Sequence, residues 1–122
     1  MLLKEIFTKE YKSDSIFFAR SKACPKMWHY DHVGFIIDGG NQLQMSGHKH
    51  NDGVYITNNI TDDIMFPPQE LKIIKLSKPV LIPSLNNVNA ENCSTFVGNV
   101  LINNGLSMDS NYLNNIFKNG IS

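Results

Sequence analysis

Apolar positions along this chain change period once, near residue 93. Before that point they come in short runs bounded by turn residues; after it they recur at helical spacing. Ser15 to Ser21, "SIFFARS", is apolar with aromatic enrichment and predicts a buried strand. His32 to Gly40, "HVGFIIDGG", predicts a second strand running into a turn at Asp38-Gly39-Gly40-Asn41, since Asp-Gly and Gly-Gly between apolar runs favour hairpins. Gln42 to Ser46 is the return strand and Gly53 to Thr57 a further paired strand. Leu71 to Ser77, "LKIIKLS", predicts another, stopped by Pro79. From Cys93 onward Phe96, Val97, Val100 and Leu101 share one helical face, with Gly105 as the stop. A second short helix follows, capped by Asp109 or Ser110 and ended by Gly120. The pattern predicts an α+β domain: an antiparallel sheet of about four to five strands, then a helix beginning at Cys93 and a short C-terminal helix.

Composition narrows this only a little. With 122 residues the chain is expected to form a single domain, 1–122, around one core. Eleven Lys and Arg balance eleven Asp and Glu, so no basic field points to nucleic acid as a partner. No stretch approaches the ~20 apolar residues of a membrane helix, and "MLLKEIFTKEYK" lacks the apolar core of a signal peptide. The expectation is a chain that is cytoplasmic as synthesised, without stable membrane insertion. An extracellular target such as the cell wall then requires non-classical delivery. Cys24 and Cys93 form no C-x-x-C unit and are read as reduced thiols.

Cys93 at a helix start raises a chemical question. A buried cysteine is by default a small core residue. At a helix N-terminus, however, the partial positive charge of the backbone favours thiolate, and a nearby imidazole favours it further. His32, first residue of the clearest strand, is the candidate base, taking the thiol proton and later delivering it to a leaving group. Gln44, on the return strand and facing away from Leu43 and Met45 by alternation, is the candidate residue to orient the imidazole.

These residues carry a resemblance. "SDSIFFAR", "HVGFIIDGGNQLQMSG" and "GVYI" resemble the strand block of NlpC-like papain-fold cysteine peptidases. There a "GD-x-I/L-F" strand precedes "S-H-V-G-I-Y-I-G-x-G", and "M-I-H-A-S-G" carries a third polar residue. In the ordinary members the cysteine comes first. Here it comes last, in "NCSTFV", which is similar to the "N-C-x-x-F-V" of the circularly permuted branch, the lecithin retinol acyltransferase-like and YiiX-like proteins. The resemblance spans Ser13 to Leu101. It implies a permuted papain-like fold and a thiol hydrolase with Cys93 as nucleophile, His32 as base and Gln44 as orienting residue. It also implies amide or ester substrates, with peptidoglycan peptides the foremost class and no cofactor. This chain departs from the pattern at Ser13 (for Gly), Asp31 (for Ser) and Gln44 (for the commoner His).

Around the dyad, Trp28 and Tyr30 are candidate walls of a substrate cleft, with Tyr30 also a candidate donor to an oxyanion alongside the Cys93 amide. Asn92 is a candidate substrate contact or, as the commoner role, the helix cap. Thr57 to Glu70 is expected to form one rim of the cleft. His29, His48 and His50 are of a type that binds zinc, but no Glu follows the His-Lys-His pair at cupin spacing, so no metal is assigned. Two other functions remain open: a lipid-type acyl hydrolase or acyltransferase, and a catalytically inactive peptide-binding module of the same fold.

Overall fold

The computed structural model describes residues 9–45, 54–57, 70–83 and 92–121. Five strands precede two helices: β1 (Tyr11–Arg20), β2 (His32–Ile36), β3 (Gln42–Met45), β4 (Val54–Thr57), β5 (Glu70–Ile82), α1 (Cys93–Asn103) and α2 (Ser110–Asn119). The strands form one sheet in the order β4-β3-β2-β1-β5, every neighbouring pair antiparallel. The domain is therefore α+β, as the change of period predicts.

The turn between β2 and β3 is a short 3-10 turn at Asp38–Gly40, where Gly39 and Gly40 take φ of 74° and 79°. Such positive φ is cheap only for residues without a Cβ, which is why two glycines stand here. The Ile37 amide donates to the Asn41 carbonyl at 2.8 Å and closes the hairpin.

Two strands are longer than the apolar runs. β1 begins at Tyr11 because Tyr11 and Ser13 are buried while Lys12 and Asp14 are exposed, a period of two with a polar residue on the inner face. Ser13 is tolerated there because its hydroxyl donates to the carbonyls of Ile36 and Ser15. β5 does not stop at Pro79 but continues to Ile82. Ser15 pairs with Lys75 and Ser13 with Val80, so two steps on β1 span five on β5. Pro79 lies within this bulge, where no ladder hydrogen bond is required of its missing N–H.

The register sorts the sheet into two faces. Opposed residues of an antiparallel pair share a face, so Ile16 with Phe35, and Phe18 with Val33, form one of them. These four join Leu43, Ile82, Phe96, Val97, Leu101, Leu113 and Phe117 in the main core, beneath the helices. Phe17 and Ala19 form a separate small cluster with Ile36 on the other face.

Three contacts orient the helices. Phe96 meets Phe35 edge to face, ring centroids 5.8 Å apart. At the far end of α1 the Asn104 side chain brackets Leu81, accepting from its amide at 2.9 Å and donating to its carbonyl at 3.0 Å. Leu81 pairs with Lys12, whereas His32 pairs with Ala19 near the opposite end of β1. α1 therefore runs from the His32 end of the sheet toward the Lys12 end, and Cys93 stands at the start of β2. α2 closes the core, and its Phe117 carbonyl accepts from the amides of His29 (2.7 Å) and Tyr30 (3.1 Å). A Cβ on Gly98 would sit 2.6 Å from the Ser110 amide nitrogen, so the two helices meet only because residue 98 lacks a side chain.

Candidate active site

Cys93 is the first residue of α1, and the turn beneath it is closed by a capping box. The Asn92 side chain accepts from the Thr95 amide (3.0 Å) and the Ser94 hydroxyl (2.9 Å), while Thr95 Oγ1 accepts from the Asn92 amide (3.0 Å). Asn92 thus caps the helix through its side-chain oxygen. No acidic residue lies in the first turn, so the positive end of the helix dipole is left to the sulfur.

The thiol is partly buried and packs against the main core. Burial pushes its pKa up, because the thiolate loses water more than the thiol does. The amides of Val33, Ser94 and Cys93 itself oppose this by donating toward sulfur, and the Asp31 carboxylate adds to the rise. Burial thus favours the thiol over the thiolate.

His32 is fully buried at the first position of β2, with 1% of its surface exposed. Its ring stands 5.8 Å from that of Phe17, tilted by 55°, on the face of the sheet away from Val33 and Phe35. Alternation along β2 thus sends the imidazole to one face while α1 packs on the other. Strand N–H groups point within the plane of the sheet, so a sulfur that accepts from Val33 sits at sheet level, against the peptide joining His32 to Val33. The sulfur of Cys93 thus lies by the amide of Val33, the residue after His32, while the imidazole stands on the opposite face beside Phe17. Gln44 lies in β3 opposite Tyr55 of β4; its side chain is outside the described residues, as are His48, His50 and the rim from Asn58 to Gln69.

Tyr30 does not wall an open cleft. Its ring lies in the core, 5.5 Å from Phe18, because the two amides bonded to Phe117 draw the segment under α2. Trp28 is half-exposed beneath the Lys118 ammonium, 5.9 Å from its ring centroid. Its carbonyl accepts from Arg20, whose guanidinium also donates to Cys24 Sγ at 3.2 Å. Cys24 is thereby a structural element of the β1–β2 connection.

Asp31, which stands where the family motif has Ser, is tied to the β1–β2 connection. Its carboxylate accepts from both the amide (2.8 Å) and the hydroxyl of Ser21, and its own amide donates to Ala19 at 3.0 Å. The signal was present as the departure from Ser before His32, but nothing local to residue 31 points to Ser21 ten positions away.

Among the described residues no group of three or more His, Cys, Asp or Glu side chains is arranged to hold a metal. No helix among them is long and apolar enough to cross a membrane. A cleft of about 460 Å³ lies between α2 and β5, lined by Ile74, Met108, Tyr112 and Ile116 among others, and one of about 230 Å³ lies beside Asp14 and Asp38. Cys93 lines neither. In comparisons with protein-family models, curated proteins and solved structures, nothing matches this chain.

Proposed function

We propose that this domain is a cysteine hydrolase with a permuted papain-like arrangement, acting through an acyl-enzyme thioester. One observation carries the reading: a cysteine opens a capped helix whose N-terminus meets the first residues of the strand that begins with His32. Because burial favours the thiol, the base is proposed to act during attack and not before it. His32 takes the proton as Cys93 Sγ bonds to the acyl carbon, and the carbonyl oxygen gains the negative charge. The Cys93 amide, which points toward the sulfur at the helix start, is the donor suited to that oxygen as the sulfur bonds to carbon. His32 then returns the proton to the departing amine or alcohol, leaving a thioester. Water, giving its proton to His32, hydrolyses the thioester and frees the thiol. Gln44 is proposed to hold the second imidazole nitrogen.

The motif resemblance favours amides over other acyl compounds and peptidoglycan peptides among amides. The test is turnover of purified peptidoglycan peptides and of acyl esters by the intact chain, with Cys93→Ala as control. Release of a new amino group or alcohol that Cys93→Ala abolishes supports the reading, and the preferred panel separates peptidase from lipid acyl hydrolase. Turnover that survives Cys93→Ala removes it.

A second reading is favoured by the raised thiol pKa and by the placement of the His32 ring against Phe17. On that reading the domain binds peptides without cleaving them, and Cys93 is a packed helix start. Peptide binding of equal affinity in wild type and Cys93→Ala, without turnover in either, identifies this case.

A further inference from the structure

We propose that the outer edge of β5 takes an extended peptide of a partner protein as an added strand, and that the core of this peptide reads acid–apolar–apolar–acid. The site is separate from Cys93 and does not depend on the hydrolase reading.

β5 ends the sheet on one side, and no strand lies beyond it among the described residues. The hydrogen bonds show which of its backbone groups face outward. The Ala19 carbonyl accepts from the Asp31 amide at 3.0 Å, so Ala19 directs its backbone groups toward β2. Ala19 opposes His32 on one side and Leu71 on the other. A residue bonded toward one neighbouring strand forms a non-hydrogen-bonded pair with the other. By alternation the amides and carbonyls of Leu71, Ile73 and Lys75 therefore point away from β1. At the far end of β5 the Asn104 side chain meets both the amide and the carbonyl of Leu81, at 2.9 and 3.0 Å. That end of the edge is closed by an amide group standing where a neighbouring strand would be. Among the described residues, Leu71 to Lys75 has no such cover.

The side chains along this stretch add an apolar and a charged feature. Opposed residues share a face, so Ile73 stands with Phe17 on the face away from the helices, and Ile74 with Ile16 on the helix face. Ile73 is 55% exposed and Leu71 38%. Ile74 lines the cleft of about 460 Å³ between β5 and α2, together with Met108, Tyr112 and Ile116. An added strand thus sets one apolar side chain over Ile73 and lowers the next into the cleft beside Ile74. Exposed lysines flank the pair at 72 and 75, Lys78 follows, and beyond Glu70 the strand holds no acid.

Lysines and a proline-bearing bulge are common means of keeping an edge strand unpaired. They do not account for exposed Leu71 and Ile73, or for a cleft alongside. Charge also chooses the occupant. A second copy of β5 would bring a further set of lysines against Lys72, Lys75 and Lys78, whereas acids opposite Lys72 and Lys75 make favourable cross-strand pairs. Lys72-Ile73-Ile74-Lys75 has the same pattern in both directions, so the complementary core is the same for a parallel and an antiparallel partner.

The test is fluorescence anisotropy of a labelled, end-blocked peptide with the core Asp-Val-Val-Glu, titrated with the intact chain at low and raised salt. The expected result is saturable binding that weakens with salt and is about tenfold or more weaker for a Lys-Val-Val-Lys peptide. Lys72→Glu and Lys75→Glu together, both at exposed positions, are expected to reverse that preference. N-methylation of both valine amides removes the donors that pair with the edge, and is expected to weaken binding about tenfold. No binding, a preference that the charge reversal leaves in place, or equal binding of the N-methylated peptide overturns the proposal. Sedimentation of the chain alone covers the other occupant: a dimer that Ile73→Lys disperses gives the edge to a second copy and overturns it as well.

Discussion

The two helices of this domain start in the same way and face different surroundings. α1 is capped by Asn92 and α2 by Asp109, each side chain accepting from the amide three residues on, at 3.0 and 2.8 Å. At α2 the cap is a carboxylate in an exposed position, and it meets the positive end of the helix dipole with a full charge. At α1 the cap is neutral, the first residue is a cysteine, and the start of the helix is pressed against β2. Identical hydrogen-bonding chemistry therefore produces a structural stop at one helix and an unneutralised dipole at a thiol at the other. Capping alone does not make a site. What distinguishes α1 is that the sheet brings Val33, His32 and Asp31 to the same end.

The sharpest way to break the comparison is to remove the sulfur. Cys93→Ala is expected to lower acyl transfer by about a thousandfold or more, the scale for loss of a nucleophile. The corresponding change at α2, Ser110→Ala, is expected to leave it within twofold. Turnover of a common ester by both variants measures this.

Next in size is the junction between the helices. Gly98→Ala brings a methyl group onto the backbone of Asp109 and Ser110, and overpacking of this kind costs about 1–3 kcal/mol. Urea unfolding is expected to show that loss, and an unchanged midpoint contradicts the close approach of the helices.

Exchanging the caps sharpens the contrast further. Asn92→Ala and Asp109→Ala are each expected to cost about 1 kcal/mol in stability. Asn92→Asp keeps the acceptor and adds the charge that α2 already has. It is expected to raise the Cys93 alkylation midpoint, because a negative charge beside sulfur disfavours thiolate, whereas Asp109→Asn leaves that midpoint alone. The alkylation profiles of the two variants decide it.

The smallest effect is the dependence of stability on alkaline pH. The folded pKa of Cys93 is raised, so the folded state holds its proton where the unfolded chain has lost it. Its contribution is fully present below the ordinary thiol value of about 8.5 and is lost as pH rises from there through the folded value. Tyr11, also raised by burial, acts in the same direction at higher pH. Unfolding midpoints between pH 7 and 10 are expected to fall in wild type and to fall less in Cys93→Ala.

Much of this was legible in the chain. Alternation and turn residues marked β2, β3 and their Gly-Gly turn, and helical spacing with Asn92, Asp109, Gly105 and Gly120 marked both helices with their ends. These signals are local, which is why they survive without the fold. The misses have long-range causes. Pro79 looked like a stop because a bulge forms only in the presence of β1, and the strand at Tyr11 and Ser13 was hidden by a serine satisfied from Ile36. Tyr30 looked like a cleft residue until Phe117 drew it inward. Within the site, Cys93 and His32 were visible as residues, but the face on which the imidazole stands depends on the register with Phe17 and Ala19. Asp31 was visible as a departure, and its tether to Ser21 was not.

The most direct test of the central claim is acylation of the folded chain by p-nitrophenyl acetate in the Cys24→Ser background, following p-nitrophenol release and locating the acetyl group by mass spectrometry. A dyad predicts a burst, an acetyl group on Cys93 that water then removes, and a burst slowed about a hundredfold or more by His32→Ala. Acylation of Cys93 at the same rate in folded His32→Ala, or no acylation at Cys93 at all, contradicts it.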